Sequence, residues 1–105
     1  MIGAEPRGAP LEWPDNLEYV RSTPVFTADT VPAGLRADHS TKDGTWGRLC
    51  VLSGKLHYEV CDPRRPASTT LLTPASSLAI IEPTILHRVE PVGAVEFKVE
   101  FWRAP

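Results

Sequence analysis

The sequence predicts an all-β protein made of short strands in a single domain. The 105-residue chain contains 11 prolines, and only residues 33–62 offer a long stretch without one. Because a proline inside a helix costs about 3 kcal/mol, helical bundles and doubly wound α/β folds are excluded. About eight β-prone segments follow one another roughly 8–12 residues apart, a spacing typical of sandwiches, barrels and jelly rolls. The length is that of one domain.

The predicted elements follow one another in a simple order along the chain. Residues 1–16 are rich in proline, glycine and charge, and we predict an N-terminal arm there, followed by a folded domain over residues 17–105. The segment 62–66, Asp-Pro-Arg-Arg-Pro, is typical of a turn or loop. The predicted strands cover residues 19–21, 24–27, 45–52, 55–61, 69–73, 77–81, 85–89 and 94–102.

The strongest predicted strand, residues 94–102, leaves two orientations open. Its apolar residues alternate with the charged residues Glu96, Lys98 and Glu100. In one orientation the apolar side faces the core and the charged side faces solvent. In the other the charged side lines a polar cavity inside a barrel, and the apolar side packs on the arm or a second subunit.

The two cysteines are predicted to be reduced. We expect Ser53-Gly54 to form a two-residue turn, so that Cys50 lies opposite His57 and Cys61 opposite Trp46. The cysteines would then lie about 13 Å apart along the ladder, whereas a disulfide requires Cα atoms within about 7 Å. Two reduced thiols are typical of a cytoplasmic protein.

Charge and composition exclude several classes of function. The net charge is −2 and the arginines are scattered, so the basic stripe of a nucleic-acid-binding protein is missing. No apolar run approaches the ~20 residues of a spanning helix, and no signal-peptide pattern is visible. The chain also lacks a Gly-x-Ser-x-Gly nucleophile motif and a glycine-rich phosphate loop. We therefore expect no membrane segment and no nucleic-acid partner.

Three histidines are candidates for chemistry. His39 and His87 lie near predicted strand ends, where the side chains of small barrels converge, and His57 shares a polar strand face with Glu59. No sequential metal-binding spacing such as Cys-x-x-Cys occurs. A metal site would therefore have to be assembled from different strands.

Seven segments taken together resemble the YeaR/TehB-like small cupin family, the cupin domain associated with tellurite-resistance proteins. They are Ser-Thr-Pro-Val-Phe at 22–26, Gly-Leu at 34–35, His-Ser-Thr-Lys-Asp-Gly-Thr-Trp-Gly-Arg-Leu at 39–49, Val-Leu-Ser-Gly-Lys-Leu at 51–56, Ile-Glu-Pro at 81–83, His-Arg-Val-Glu-Pro at 87–91 and Phe-Lys-Val-Glu-Phe at 97–101. The resemblance covers residues 21–103. It implies a cupin-type jelly-roll barrel, or double-stranded β-helix, that is commonly dimeric and holds a divalent metal in a central pocket.

The resemblance also implies a set of site residues. His39 and His87 match the histidines of the two cupin motifs, while two of the four usual ligands are missing, since Thr41 and Gly47 stand in their places. The candidate carboxylate ligands that would replace them are Glu90 and Glu100. Two histidines and a carboxylate suit Zn, Fe or Ni. Lys42 and Trp46 belong to the first motif, and they are candidate residues for binding a small, anionic ligand.

Two functions follow as hypotheses. One is a cytoplasmic, homodimeric cupin domain that binds a divalent metal and a small molecule in its barrel. The alternative is a non-enzymatic module that senses a ligand or dimerises without a metal. A thiol-dioxygenase would need His57 as a third iron ligand on the inner face. Methyl transfer is not expected, because the glycine-rich cofactor motif is absent.

Overall fold

A computed structural model describes residues 13–76 and 79–105. Most of this part of the chain is β-structure, as predicted, and none of its helices is long and apolar enough to cross a membrane. The strands are β1 (Glu18–Ser22), β2 (Phe26–Thr27), β3 (Thr45–Val60), β4 (Ser68–Leu72), β5 (Ala79–Ile81) and β6 (His87–Arg103). The helices are α1 (Ala33–Arg36) and a 3₁₀ turn (Pro74–Ser76).

The six strands of the described residues form one antiparallel sheet. Its order is β1-β6-β3-β4, with β2 also paired to β6 and β5 also paired to β3. The two long strands pair over their whole length, from Thr45 opposite Arg103 to Val60 opposite His87. The sheet is not closed into a barrel, so the predicted cupin jelly roll is not confirmed by the strand pairing.

The predicted turn at Ser53-Gly54 is wrong. β3 runs straight through these residues and pairs with β6, so that Cys50 lies opposite Lys98 instead of His57. The ladder shifts register on both sides of Gly54, which has a φ of 78° and approaches Ala94 closely. Gly54 therefore lies between two bulges of a continuous ladder, one at Leu52 of β3 and one in residues 92–94 of β6. Glycine suits such a position as readily as a hairpin turn. The predicted strands 85–89 and 94–102 are likewise not separate, because β6 is a single continuous strand from His87 to Arg103.

The cysteines are both free, as predicted, although the pairing used to predict this was wrong. Cys50 is buried on β3, and Cys61 follows the end of the same strand. The two residues therefore lie on one strand path instead of on the two arms of a short hairpin. Burial is the main cause that raises the pKa of the Cys50 thiol above its usual value.

The apolar side of β6 faces the core and its charged side does not. Phe97 and Leu56 are fully buried, and burying a side chain of this size stabilises the fold by roughly 1.5–3 kcal/mol. Glu96, Lys98 and Glu100 point to the opposite side of the sheet, which we call the outer face. Of the two orientations left open by the sequence, the structure has the one with the apolar side inward. The core comprises Leu49, Val51, Leu56, Tyr58, Leu72, Ile81, Val89, Val95, Phe97 and Val99.

An aromatic cluster covers one end of the outer face. The ring of Trp13 packs edge-on against those of Trp46 and Trp102, with centroids 6.4 and 5.5 Å away. The guanidinium carbon of Arg48 lies 5.1 Å from the Trp13 ring and 5.2 Å from the Trp102 ring. The described end of the predicted arm, at Trp13, is thus docked on the sheet. Residues 1–12 of that arm lie outside the described residues.

Candidate functional site

A cavity of about 620 Å³ opens on the inner face of the sheet. Its walls are mostly core side chains, including Leu49, Ile81, Phe97, Val99 and Phe101. Its ionisable lining consists of His39, His87, Lys42, Arg21 and Arg103, and none of the described lining residues is acidic. The cavity therefore combines an apolar body with a positive rim, because all three cations are exposed to solvent.

The two predicted histidines come together in this cavity. His39 and His87 form an isolated antiparallel bridge, in which each backbone N–H donates to the other residue's carbonyl over 3.0 and 2.8 Å. Their rings meet edge to face with centroids 4.2 Å apart. The sequence predicted both residues near strand ends. It did not predict that one would pair directly with the other.

Backbone carbonyls determine how each ring is protonated. The Nδ1 atom of His87 lies 2.9 Å from the carbonyl oxygen of Ile85, and the Nδ1 atom of His39 lies 2.9 Å from that of Ala37. Because a carbonyl oxygen can only accept a hydrogen bond, each Nδ1 must be the protonated nitrogen. In a neutral ring the Nε2 atom is then left as an acceptor.

Burial keeps His87 neutral. The side chain is 2% exposed, and burial lowers its pKa from 6.5 to about 4. The hydrogen bond to Ile85 raises the pKa and His39 lowers it, but both effects are smaller than that of burial. His87 is therefore an uncharged imidazole at neutral pH, with Nε2 carrying a lone pair.

Asp62 fixes the chain just before His87, a role that the sequence analysis missed. Its buried carboxylate accepts hydrogen bonds from the backbone N–H of Leu86 at 3.0 Å and from the Arg64 guanidinium at 2.8 Å. Arg64 also donates to the carbonyl of Thr84, a residue with a φ of 67°. The Arg64 hydrogen bonds are the main cause that holds the pKa of Asp62 well below its usual range. The only sequence signal was the predicted turn at residues 62–66.

The cations lie at the end of the cavity formed by the turn after His39. The carbonyl of Lys42 accepts a hydrogen bond from the N–H of Thr45, and Thr45 stands opposite Arg103 in the ladder. The guanidinium carbon of Arg21 lies 5.0 Å from the centre of the Phe101 ring. The sequence analysis did not identify Arg103 as a site residue. Because Arg103 lies two residues after Phe101, its side chain is on the same face of the strand, and the alternation could have identified it.

Three of the six predicted site residues line the cavity and three do not. His39, His87 and Lys42 line it. Trp46 belongs to the aromatic cluster on the outer face. Glu90 forms an ion pair with Arg36 at 2.6 Å, and Glu100 forms one with Arg48 at 2.9 Å.

The alternation of β6 explains why the glutamates are elsewhere. Side chains alternate between the two faces of a strand, so Glu90 and Glu100 project away from the face that holds His87. His57, opposite Glu90 in the ladder, is also exposed instead of joining the histidine pair. Neither predicted metal set, with a glutamate or with a third histidine, is assembled.

The residues present do not fit a resident metal ion. Among residues 13–76 and 79–105, no group of three or more His, Cys, Asp or Glu side chains is placed to hold one. Structural zinc sites use four protein ligands and catalytic sites use three. His39 and His87 supply two nitrogen donors, so the chain alone does not complete such a site.

Comparison with known proteins places the chain in a family. The family model of the TehB-like domain matches residues 21–99. The uncharacterized protein YeaR of Escherichia coli strain K12 is 30% identical over 101 residues, covering 90% of this chain and 85% of that protein. The probable S-adenosyl-L-methionine-dependent methyltransferase TehB of Haemophilus influenzae is 41% identical over 74 residues, covering 70% of this chain and 26% of that protein.

Solved structures agree with these relatives. The crystal structure of TehB from Haemophilus influenzae superposes with a TM-score of 0.76 at 34% identity, covering 83% of this chain and 31% of that one. The crystal structure of a protein from Escherichia coli strain K12 superposes with a TM-score of 0.79 at 29% identity, covering 90% and 98%. The chain spans about a quarter of the length of the curated TehB proteins that it matches. The chain therefore belongs to the TehB-like domain family.

Proposed function

We propose that this domain binds a small molecule with an apolar body and an anionic group in the cavity on the inner face. The observation that carries the proposal is the charge of the lining, which includes three cations and, among the residues that the structure describes, no acid. The cavity volume of about 620 Å³ lies inside the roughly 300–1,000 Å³ range of small-molecule sites.

The cations at the cavity lack carboxylate partners, whereas most arginines elsewhere in the described chain have them. Elsewhere in the described chain, five arginines form ion pairs with carboxylates: Arg36, Arg48, Arg64, Arg65 and Arg88. Among the same residues, Arg21, Lys42 and Arg103 have no carboxylate within ion-pair distance. The three cations at the cavity are therefore not neutralised by carboxylates of the described chain. An anionic ligand bound in the cavity would neutralise them.

The family relationship adds a context for this binding. The name of TehB describes a methyltransferase, and this chain matches only a part of that protein. We propose that the domain serves as the ligand-binding part and not as the part that transfers a methyl group. The two long bulged strands around an apolar inner face support the finer description of the fold as cupin-like.

The predicted metal and the predicted homodimer stay predictions. A divalent ion bound to the Nε2 atoms of His39 and His87 would need its remaining ligands from solvent or from the bound molecule. The proposed anion binding does not depend on such an ion, because the cations are side chains of the protein.

A fluorescent anion tests the proposal. We expect 8-anilinonaphthalene-1-sulfonate, a sulfonate on an apolar body, to bind saturably to the folded protein. Lys42→Gln and Arg103→Gln should each weaken binding about two- to fivefold, the range expected for one exposed charge pair. Lys98→Gln is the matched control, since it removes the same charge from the outer face. Circular dichroism must show that every variant is folded, because this dye also binds molten states.

The outcome separates the proposal from its alternatives. Equal affinity of Lys42→Gln, Arg103→Gln and Lys98→Gln would contradict an anion site in the cavity. Treatment with EDTA should leave the affinity unchanged. If EDTA abolished binding and Zn²⁺ restored it in the wild type but not in His87→Ala, the metal prediction would be supported instead.

A further inference from the structure

The strongest unexplained feature of the cavity is the Nε2 atom of His87. The side chain is 2% exposed and lines the cavity. Its Nδ1 atom is engaged with the Ile85 carbonyl, while no hydrogen bond to Nε2 is formed by any group in the described part of the chain. Buried polar atoms in native proteins are almost always paired, so an unpaired one on a residue that lines a cavity points to a missing partner.

We propose that the ligand donates a hydrogen bond, from a hydroxyl group, to Nε2 of His87, while its anionic group lies at the Lys42 and Arg103 end. This inference rests on the proposed function and narrows the ligand to a small anion that also carries a hydroxyl group, a class that hydroxy-carboxylates represent in the test. The anion follows from the unpaired cations. The hydroxyl follows from a different observation, the unpaired Nε2 atom of a buried imidazole whose Nδ1 atom lies 2.9 Å from the Ile85 carbonyl.

The direction of the missing hydrogen bond is determined by the tautomer. Nδ1 must be the donor to the Ile85 carbonyl, which leaves Nε2 of the neutral ring able only to accept. A ligand carbonyl or carboxylate placed against this nitrogen would bring two acceptors together. His39 has the same arrangement, with its Nδ1 atom 2.9 Å from the Ala37 carbonyl and its ring against that of His87. Each Nδ1 atom is thus engaged with a carbonyl, and the buried ring of His87 selects a donor at Nε2.

The side chains nearby do not supply this donor. The hydroxyl of Thr41 already donates to the Thr45 carbonyl over 2.6 Å. Tyr58 packs beside His87, with ring centroids 5.7 Å apart, yet it is not among the residues that line the cavity. Within the described part of the chain the acceptor at His87 is thus left without a partner, on a residue that lines the cavity.

The His39 ring contacts that of His87, so the position of Lys42 relative to His39 guides the choice of probe length. Lys42 follows His39 by three residues, so their Cα atoms lie within about 11 Å of each other even in a fully extended chain. A hydroxyl and a carboxylate on opposite ends of a single ring, with a side chain of up to two carbons, cover separations within this span. The apolar walls, which include Phe97 and Phe101, suit such a ring.

Matched pairs of carboxylates test the inference by displacement of the dye. The pairs are 4-hydroxybenzoate with benzoate, 4-hydroxyphenylacetate with phenylacetate, and 3-(4-hydroxyphenyl)propanoate with 3-phenylpropanoate. In at least one pair the hydroxylated member should bind about two- to tenfold more tightly, the effect of one net hydrogen bond. In His87→Phe this ratio should fall to about one, while the affinity for the member without the hydroxyl is retained. His57→Phe, on an exposed histidine, is the control and should keep the ratio.

The results distinguish this inference from the proposed function. Equal affinities within all three pairs, or no displacement by any of the six compounds while dye binding still depends on Lys42, would overturn the hydroxyl inference alone. Dye binding that is independent of Lys42 and Arg103 would remove the proposed function as well.

A second measurement holds even if His87→Phe does not fold. The ¹⁵N chemical shifts of the imidazole nitrogens in the wild-type protein report which of them carries the proton. We expect His87 to be protonated on Nδ1 and unprotonated on Nε2 at pH 7. A proton on Nε2 would overturn the inference, because that nitrogen would then be a donor and not an acceptor.

Discussion

Acidification from pH 7 to pH 4 should destabilise this domain through the single side chain of His87. In the folded protein burial lowers the pKa of His87 to about 4, against 6.5 for an exposed histidine. Between these two values the unfolded chain binds a proton that the folded chain does not. The free energy of unfolding therefore falls as the pH is lowered through this window, and it is not reduced further by His87 below pH 4.

The size of the effect follows from the difference in pKa. A shift from 6.5 to about 4 corresponds to about 3.4 kcal/mol of lost stability, at about 1.4 kcal/mol per pKa unit. Domains of this size are stable by roughly 5–15 kcal/mol, so the loss is large enough to measure. Asp62 adds little in this window, because its lowered pKa stabilises the fold above 3.8 and that contribution is lost only at lower pH.

Urea denaturation at intervals between pH 7 and pH 4 measures this effect. His87→Phe removes the group that titrates, so its stability should fall less steeply than that of the wild type over this window. His57→Phe should keep the wild-type slope, because His57 is exposed. The reasoning is refuted if wild type and His87→Phe lose stability in parallel, since His87 would then not be held neutral by burial.

Three further predictions concern the fold that supports the cavity. Gly54→Ala should destabilise the domain by at least about 1–2 kcal/mol, because a left-handed residue other than glycine is strained and the new Cβ would meet the Ala94 carbonyl. Thermal unfolding measures this loss, and Gly34→Ala, where nothing lies within 4 Å, should show none. Phe97→Ala should cost about 3–5 kcal/mol, as expected for a fully buried phenylalanine, and a loss below 1 kcal/mol in urea denaturation would contradict its central place in the core. Asp62→Asn should weaken the amide-exchange protection of the Leu86 N–H more than that of β3, and uniform protection would argue against its local role.

Local sequence patterns predicted the β-structure well and its connections poorly. The alternation around Phe97 identified the strand and its two faces, because a period of two is a property of every strand. It did not decide which face is buried. The same patterns divided β3 at Ser53-Gly54, where the structure has a bulge in a continuous strand. A glycine with positive φ suits a turn and a bulge equally, and only the partner strand decides between them.

The candidate site was predicted in part for a similar reason. His39, His87 and Lys42 were identified from the sequence and line the cavity. The predicted carboxylates, Glu90 and Glu100, are held by arginines away from it. Residue types and motif order indicate which side chains are candidates, but the face of the strand determines which of them can meet.

The sequence by itself determined an all-β domain, with helical folds excluded by proline and the two faces of β6 separated by alternation, while the tertiary structure decided which of these faces is buried. It also determined the membership of the TehB-like family, through residues 21–99. Only the tertiary structure decided that His39 and His87 face each other, that their Nδ1 atoms are occupied by carbonyls, and that no carboxylate of residues 13–76 and 79–105 completes a metal site with them. These contacts join residues 48 positions apart in the chain, and long-range pairing depends on the register of whole strands instead of on any local pattern.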